Sequence, residues 1–229
     1  MKIGFTSIEL PEGKTKYNDK VLNALAEKDK AKKVVPFFAE FIKDEFYQVE
    51  AIVVLASNIL DVTINDMEKV DTRIERTEDD FEKELLQKCL KILESEEPLC
   101  NTEFTEKENG LLQALNLCSL KPVILLTGSE NTDEIISLAL EKADYMFFYT
   151  TGPKESHAWQ IKQGSDMITC AAKIHTDLAR GFIKGDTVSF ENYLACHNFN
   201  DCKSKGIAKV VEKNYIVQAN EIIEIRFNV

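Results

Sequence analysis

Short apolar runs separated by polar turns open the chain. Lys2–Phe5 (KIGF) predicts a strand, followed by a polar loop holding Pro11 and Gly13. Val21, Leu22, Leu25 and Ala26 fall on one face of a helix that Asn18 or Asp19 can cap and that runs to about Glu27. Val34–Phe41 predicts another strand, and Glu50–Ala56 (EAIVVLA) has the unbroken apolar character of a strand buried on both faces. Lys121–Leu126 (KPVILL) repeats that character, followed by a helix over Asp133–Glu141 and a strand over Tyr145–Thr150.

Between these strands the period changes. From about Leu60 to Glu97 the pattern is helical and densely charged, with one stripe at Met67, Val70 and Ile74 and another at Phe81, Leu85, Cys89, Ile92 and Leu93. Pro98 stops the run, and a second helix over about Glu106–Leu115 is expected to return antiparallel to it, making a charged helical hairpin with a solvated outer face. The last third alternates short strands with tight turns: Ala158–Ile161, Gly181–Val188, Ala208–Val211, Tyr215–Gln218 and Ile222–Phe227, interrupted by short helices near Asp166–Ala172 and Phe190–Cys196. The fold class expected is α+β. Residues 1–143 form an α/β unit with a helical insertion at about 60–117, and residues 144–229 form a second, mixed-sheet unit.

Charge supports that division. The chain of 229 residues has a net charge of −11, but Asp144–Val229 holds ten basic and ten acidic residues, so the first unit carries the whole excess. Such acidity argues against a generic nucleic-acid binder, which needs a basic face. The opening MKIGFTSIEL lacks the pattern of a signal peptide, and no apolar run is long enough to span a membrane, so a cytoplasmic location is expected, with no membrane partner. The six cysteines are irregularly spaced. Their tightest cluster, Cys196-His197 with Cys202, lacks the C-x-x-C pairs of a zinc site, so no metal is expected.

Two motifs invite chemistry. Gly13-Lys14-Thr15 ends like a Walker A loop, but Ile8 occupies the place of the first glycine and Glu12 would set a negative charge against a phosphate. A surface turn is the expected structure there. His175-Thr176-Asp177 spaces an imidazole and a carboxylate as in a general base with its orienting partner, yet no matching nucleophile is visible, so no catalytic residue is assigned. Trp159, in an alternating segment, is expected to anchor a core.

The C-terminal third resembles the TGS domain of the YchF/Obg-like ATPase family. The resemblance is carried by FFYTTGPKESHAWQIKQG (Phe147–Gly164), AAKIHTDLARGFIKGDTVSFENY (Ala171–Tyr193), NYIVQ (Asn214–Gln218) and RFNV (Arg226–Val229). It implies a β-grasp, ubiquitin-like fold. Two departures stand out: Ala219-Asn220-Glu221 replaces the family's glycine-bearing turn, and the hairpin near Glu212-Lys213 is shortened.

The first 143 residues resemble the same family's G domain in a reduced form. YNDKVLNALAEKDKAKKVVPFFAEF matches the segment between the P-loop helix and the switch II motif, and DMEKVDTRIER (Asp66–Arg76) matches the coiled-coil insertion. On this alignment the P-loop and its helix are deleted after Lys2–Phe5, Lys43 replaces the switch Asp that serves magnesium, and Gly128 stands where the base-reading Asn belongs. The resemblance therefore implies a non-catalytic member without a nucleotide cofactor. It would be a binding or regulatory module contacting the ribosome or ribosome-associated protein or RNA, with no sequence-specific DNA binding. Lys173, His175, Arg180, Lys184 and Arg226 are the candidate partner-binding residues. The alternative is an ATP- or GTP-binding P-loop-type NTPase, with magnesium, whose site is rebuilt from Lys14, Thr15 and Lys43. A small-molecule ligand for the TGS unit is a third possibility.

Overall fold

A computed structural model describes residues 1–228. Val229, the last residue of the RFNV match, lies outside the described residues. By internal contacts the chain divides into two compact units, Met1–Thr15 with Phe38–Ala143, and Lys16–Phe37 with Asp144–Val229. The sequence places Lys16–Phe37 in the first unit. In the structure it belongs to the second.

The first unit is built on a five-stranded sheet of β1 (Lys2–Phe5), β2 (Gly13–Lys16), β4 (Phe38–Lys43), β5 (Ala51–Leu55) and β6 (Val123–Leu126), in the order β2-β4-β1-β5-β6. β1 runs parallel to both β4 and β5, and β5 parallel to β6. Gly13–Lys16, expected as a surface turn, is instead the edge strand. The apolar run at 51–54 is wholly buried, as its unbroken hydrophobicity demands. On one face Ile52, Val54 and Val123 pack with Val62 of α2 (Leu60–Arg76). α5 (Thr132–Lys142), started by a capping box of Asn131 and Glu134, packs on β5 and β6 through its buried Ile135, Ile136 and Ala139.

The charged insertion folds back earlier than its sequence suggests. α2 ends at Arg76, and after a short turn α3 (Asp80–Glu94), capped by Asp79, packs against it. The pair makes its own core of Val70, Leu85, Leu86, Cys89 and Leu93. The returning helix is thus α3, while α4 (Glu106–Gln113) only adds Leu112 to that core. Phe81, assigned to the apolar stripe, stays 38% exposed beneath the Lys107 ammonium, 3.6 Å from the ring centroid.

The second unit holds a six-stranded sheet of β3 (Lys33–Val35), β7 (Tyr145–Thr150), β8 (Glu155–Lys162), β9 (Phe182–Ser189), β10 (Lys209–Val211) and β11 (Glu221–Phe227), in the order β10-β9-β11-β7-β8-β3. β7 and β8 form an antiparallel hairpin, β11 lies parallel to β7, and β9 runs antiparallel to β11 and β10. This is the β-grasp order, with β3 added parallel to β8 at the edge. The expected single strand Val34–Phe41 is broken at Pro36, which has no N–H for a ladder, into β3 of this sheet and β4 of the other.

Both faces of the β-grasp sheet are covered. α6 (Met167–Ile174) supplies Met167 and Cys170 to a core with Phe148, Ile161 and Ile223. The opposite face takes Phe147 and Tyr149, which meet Tyr17 and Phe37, while α1 (Lys20–Asp29) packs on β8 and on α8 (Phe190–Leu194). The short helices α7 (Thr176–Arg180) and α9 (Phe199–Ser204) complete the unit. Tyr215–Gln218 is not a strand but holds a single bridge, Ile216 to Asp166. Asn220 has φ of 63° and takes the left-handed conformation that a glycine would otherwise supply, which asparagine tolerates better than most residues. Among the described residues no helix is long and apolar enough to cross a membrane.

Candidate functional site

In an open parallel sheet the ligand position lies beyond the carboxyl ends of the strands, where the order of connection reverses. In the first unit that edge is bounded by the residues after β1, β4, β5 and β6. After β1, Ser7 has φ of 56° and its hydroxyl donates to the Asp61 carboxylate at the start of α2; Thr6 Oγ1 donates to Asp44 Oδ1 at 2.8 Å. The Asp44 amide donates to the Phe5 carbonyl at 2.8 Å, tying the turn after β4 onto the end of β1. That turn runs so close to β1 that a Cβ at Gly4 would fall on the Glu45 carbonyl oxygen, so position 4 admits only glycine. The Glu45 carboxylate accepts from the amides of Gln48 (2.9 Å) and Tyr47 (2.7 Å), which hold it below the usual carboxylate range.

The turn after β6 gathers amides in the manner of an anion nest, with Gly128 at φ of 93°. Its occupant is the chain's own Glu130. That carboxylate accepts from the Thr127 amide (3.0 Å), the Thr127 hydroxyl (2.8 Å) and the Gly128 amide (3.0 Å), and its pKa is brought down to about 2, chiefly by the Thr127 amide. Asp44, Glu45, Asp61 and Glu130 thus make the carboxyl edge acidic. Sequence reasoning overlooked all four, although an acidic residue directly after a buried strand was a usable signal.

Lys14 and Thr15 lie inside the edge strand β2, Lys14 exposed and Thr15 half-buried, rather than at a helix N-terminus. Lys43 is the last residue of β4, in register with Phe5. No helix intervenes between β1 and β2.

In the second unit the five candidate cations fall into two groups. Lys173, His175 and Arg180 are exposed on α6, α7 and their junction. His175 caps α7: its Nδ1 accepts the Asp177 amide at 3.1 Å, while the Asp177 carboxylate meets Arg180 at 2.9 Å. The imidazole and carboxylate of the His-Thr-Asp motif are therefore engaged in helix capping and a surface ion pair. Lys184 and Arg226 are register partners on β9 and β11, and both are ion-paired, Lys184 at the surface and Arg226 to a buried carboxylate. Lys184 pairs with Glu212, and Arg226 grips the fully buried Asp186 with two 2.6 Å bonds, joined by Lys203 at 3.3 Å. Although burial raises the Asp186 pKa, Arg226 and Lys203 outweigh it and bring the group below its ordinary value.

A cleft of about 560 Å³ opens in the same unit, lined by Lys28, Asp29, Thr151, Tyr193, His197 and Asn198 among others. Asp29 Oδ2 accepts the hydroxyls of Thr151 (2.8 Å) and Tyr193 (2.7 Å), and Lys28 donates to the His197 carbonyl at 2.8 Å. Trp159 donates to Thr150 Oγ1 at 3.0 Å and stacks on His157, with ring centroids 3.6 Å apart. Among the described residues no three His, Cys, Asp or Glu side chains are placed to share a metal ion.

Comparison with known proteins follows the same division. A family model for the YchF-GTPase C-terminal domain, described as a protein of unknown function (DUF933), matches residues 145–228. A ribosome-binding ATPase YchF of Bacillus subtilis is 28% identical over 237 aligned positions, covering 74% of this chain and 65% of that protein. Human Obg-like ATPase 1 is 34% identical over 95 residues, 42% of this chain and 24% of that one. The chain thus spans less than two thirds of the length of the curated relatives it matches. A solved structure, the YchF GTPase of Schizosaccharomyces pombe, superposes with a TM-score of 0.78 over 99% of this chain and 97% of that one, at 15% identity. It establishes the shared α+β fold.

Proposed function

Because the chain belongs to the YchF/Obg-like ATPase family, we propose that it serves as a non-catalytic, ribosome-associated member, a binding or regulatory module in place of a nucleotide hydrolase. The observation that carries this reading is the acidic carboxyl edge of the first sheet. A triphosphate brings several negative charges, and its hydrolysis depends on positioned amides, a cation and a coordinated metal. Here Glu130 fills the amide nest, Asp44 and Asp61 take the hydroxyls after β1, and the turn after β4 lies against Gly4. Each of these groups would have to be displaced, against charge repulsion, before phosphates could enter.

Ribosome association rests on the names borne by the relatives, which include ribosome-binding ATPases. Contact would be made through protein or RNA at a limited basic patch, for which the exposed Lys173 is the first candidate; His175 caps α7, Arg180 and Lys184 would have to leave surface pairs with Asp177 and Glu212, and Arg226 is committed to the buried Asp186.

Calorimetric titration with ATP and with GTP, each with magnesium, is expected to give no heat at micromolar concentrations. Co-sedimentation is expected to carry the chain down with ribosomes at low salt, with or without nucleotide, and to release it as salt rises. Micromolar binding that disappears in Lys14→Ala would establish the hydrolase alternative instead. Failure to pellet at low salt would remove the ribosome from the reading.

A further inference from the structure

Of the six cysteines, four show no thiol–thiol interaction, although Cys100 packs against the core that holds Cys118. Cys89 is in the α2–α3 core and Cys170 in the α6 core, while Cys100 accepts the Val123 amide and Cys118 meets the Tyr47 hydroxyl. Cys196 and Cys202 are different. Cys196 follows α8, Cys202 lies in α9, and the chain between them doubles back tightly. The His197 amide donates to Asp201 Oδ2 at 2.8 Å, the Asp201 amide to Asn198 Oδ1 at 3.0 Å, and the Cys202 amide to the Asn198 carbonyl at 3.1 Å. These bonds hold the neighbours of the two cysteines together, and each thiol feels the other electrostatically. Both side chains are buried, Cys202 completely. Lys28 favours a thiolate at Cys202 only weakly; burial keeps that thiol protonated, together with the Asp201 carboxylate, which is paired with Lys205 at 2.7 Å.

We infer that Cys196 and Cys202 form an oxidisable dithiol, a modification site that closes to a disulfide between α8 and α9 when it meets a small peroxide. The chemistry balances with hydrogen peroxide as the named oxidant. One thiolate attacks the O–O bond, its sulfur gains oxygen as a sulfenic acid, and the second oxygen leaves as water after taking a proton. The other thiol then attacks that sulfur and expels a second water, so the sulfurs lose two electrons in all and peroxide is reduced. In the closed state burial pushes the Cys202 thiol up to about 12, which protects it. Reaction therefore waits on local opening, and the elements concerned are helices of five and six residues, too short to hold themselves against fraying. The bond would fix the wall of the Asp29 cleft that carries His197 and Asn198. This inference does not depend on the ribosome reading.

The test is peptide mapping of the full chain after brief exposure to a few equivalents of hydrogen peroxide, with remaining thiols alkylated before digestion. The expected product is a Cys196–Cys202 cross-linked peptide two mass units lighter than the reduced pair, with free thiols falling from six to four and returning on reduction with dithiothreitol. Cys202→Ser is expected to stop at a Cys196 sulfenic acid that dimedone traps. Should the variant fail to fold, the unmodified chain alone decides. Six intact thiols, a bond to any other cysteine, or over-oxidation of single cysteines without the cross-link would overturn the assignment.

Discussion

The two units deploy their carboxylates differently, although the first also buries Asp66, which accepts the Cys118 and Ser119 amides at 2.9 and 2.7 Å. The first holds Asp44, Glu45 and Glu130 at the ends of its strands, Glu45 and Glu130 satisfied by groups of their own turns and Asp44 by the Thr6 hydroxyl after β1. The second buries Asp19, Asp29 and Asp186 and joins each to a different element. Asp19 caps α1 and accepts the Tyr149 hydroxyl at 2.8 Å, Asp29 accepts Thr151 and Tyr193, and Asp186 takes Arg226. Surface turns of the first kind add little to stability but set the charge that a ligand would meet. Buried links of the second kind add nothing to that field and decide whether the unit holds together.

The largest expected effect comes from expressing residues 144–229 without Lys16–Phe37. Leu22 and Leu25 of α1 are wholly buried, and each is worth about 1.5–3 kcal/mol of burial. The fragment also loses β3 and the Asp19–Tyr149 bond. Denaturant titration is expected to find no cooperative transition; a fragment as stable as the full chain would dissolve the contrast between the two units. Next comes Asp186→Ala, which strands Arg226 and leaves Lys203 only its pair with Glu224. Both cations remain partly in water, so the expected loss is about 3 kcal/mol, the lower end of what breaking a buried pair costs, read from the urea midpoint.

A smaller effect should follow pH. Burial lowers the His157 pKa from 6.5, outweighing the pull of Glu155. A depressed native value means that the unfolded chain binds the proton more readily. The contribution is therefore whole above about pH 6.5 and is lost as pH falls through the native value. His157→Gln is expected to flatten that part of the stability curve; an unchanged slope would assign it to another group. The smallest effect belongs to Glu130→Gln. Glu130 is half-buried in a surface turn, so a small change in melting temperature is expected, and the carboxyl titration near pH 2 should vanish from the NMR spectrum. If the variant also gained nucleotide binding, self-occupation of the nest would be the sole barrier in the first unit.

Much of this was legible in sequence, and the reasons for the rest are physical. Buried runs such as AIVVL announce strands because both faces are covered, and the Asn131 and Asp166 caps mark their helices. Arg226 and Lys184 look like free surface cations in a linear reading, since nothing in sequence brings Asp186 or Glu212 beside them. The same blindness hid the helical turn at Thr77–Asp79, where charged residues run on without a glycine or proline to mark the reversal. Pro36 was visible, but that it would send its two flanks into different sheets depended on pairings with strands far away along the chain.

That break has a consequence for how the molecule is made. As the polypeptide leaves the ribosome, the strap at 16–37 emerges early, yet the strand and hydroxyls that receive it are synthesised more than a hundred positions later. Until then its leucines have no home, and the sheet begun by β1 must close around a gap in its own connectivity. The first unit can close once residue 143 has emerged, but the second cannot mature in order of synthesis, since its strap must wait for the strands that receive it.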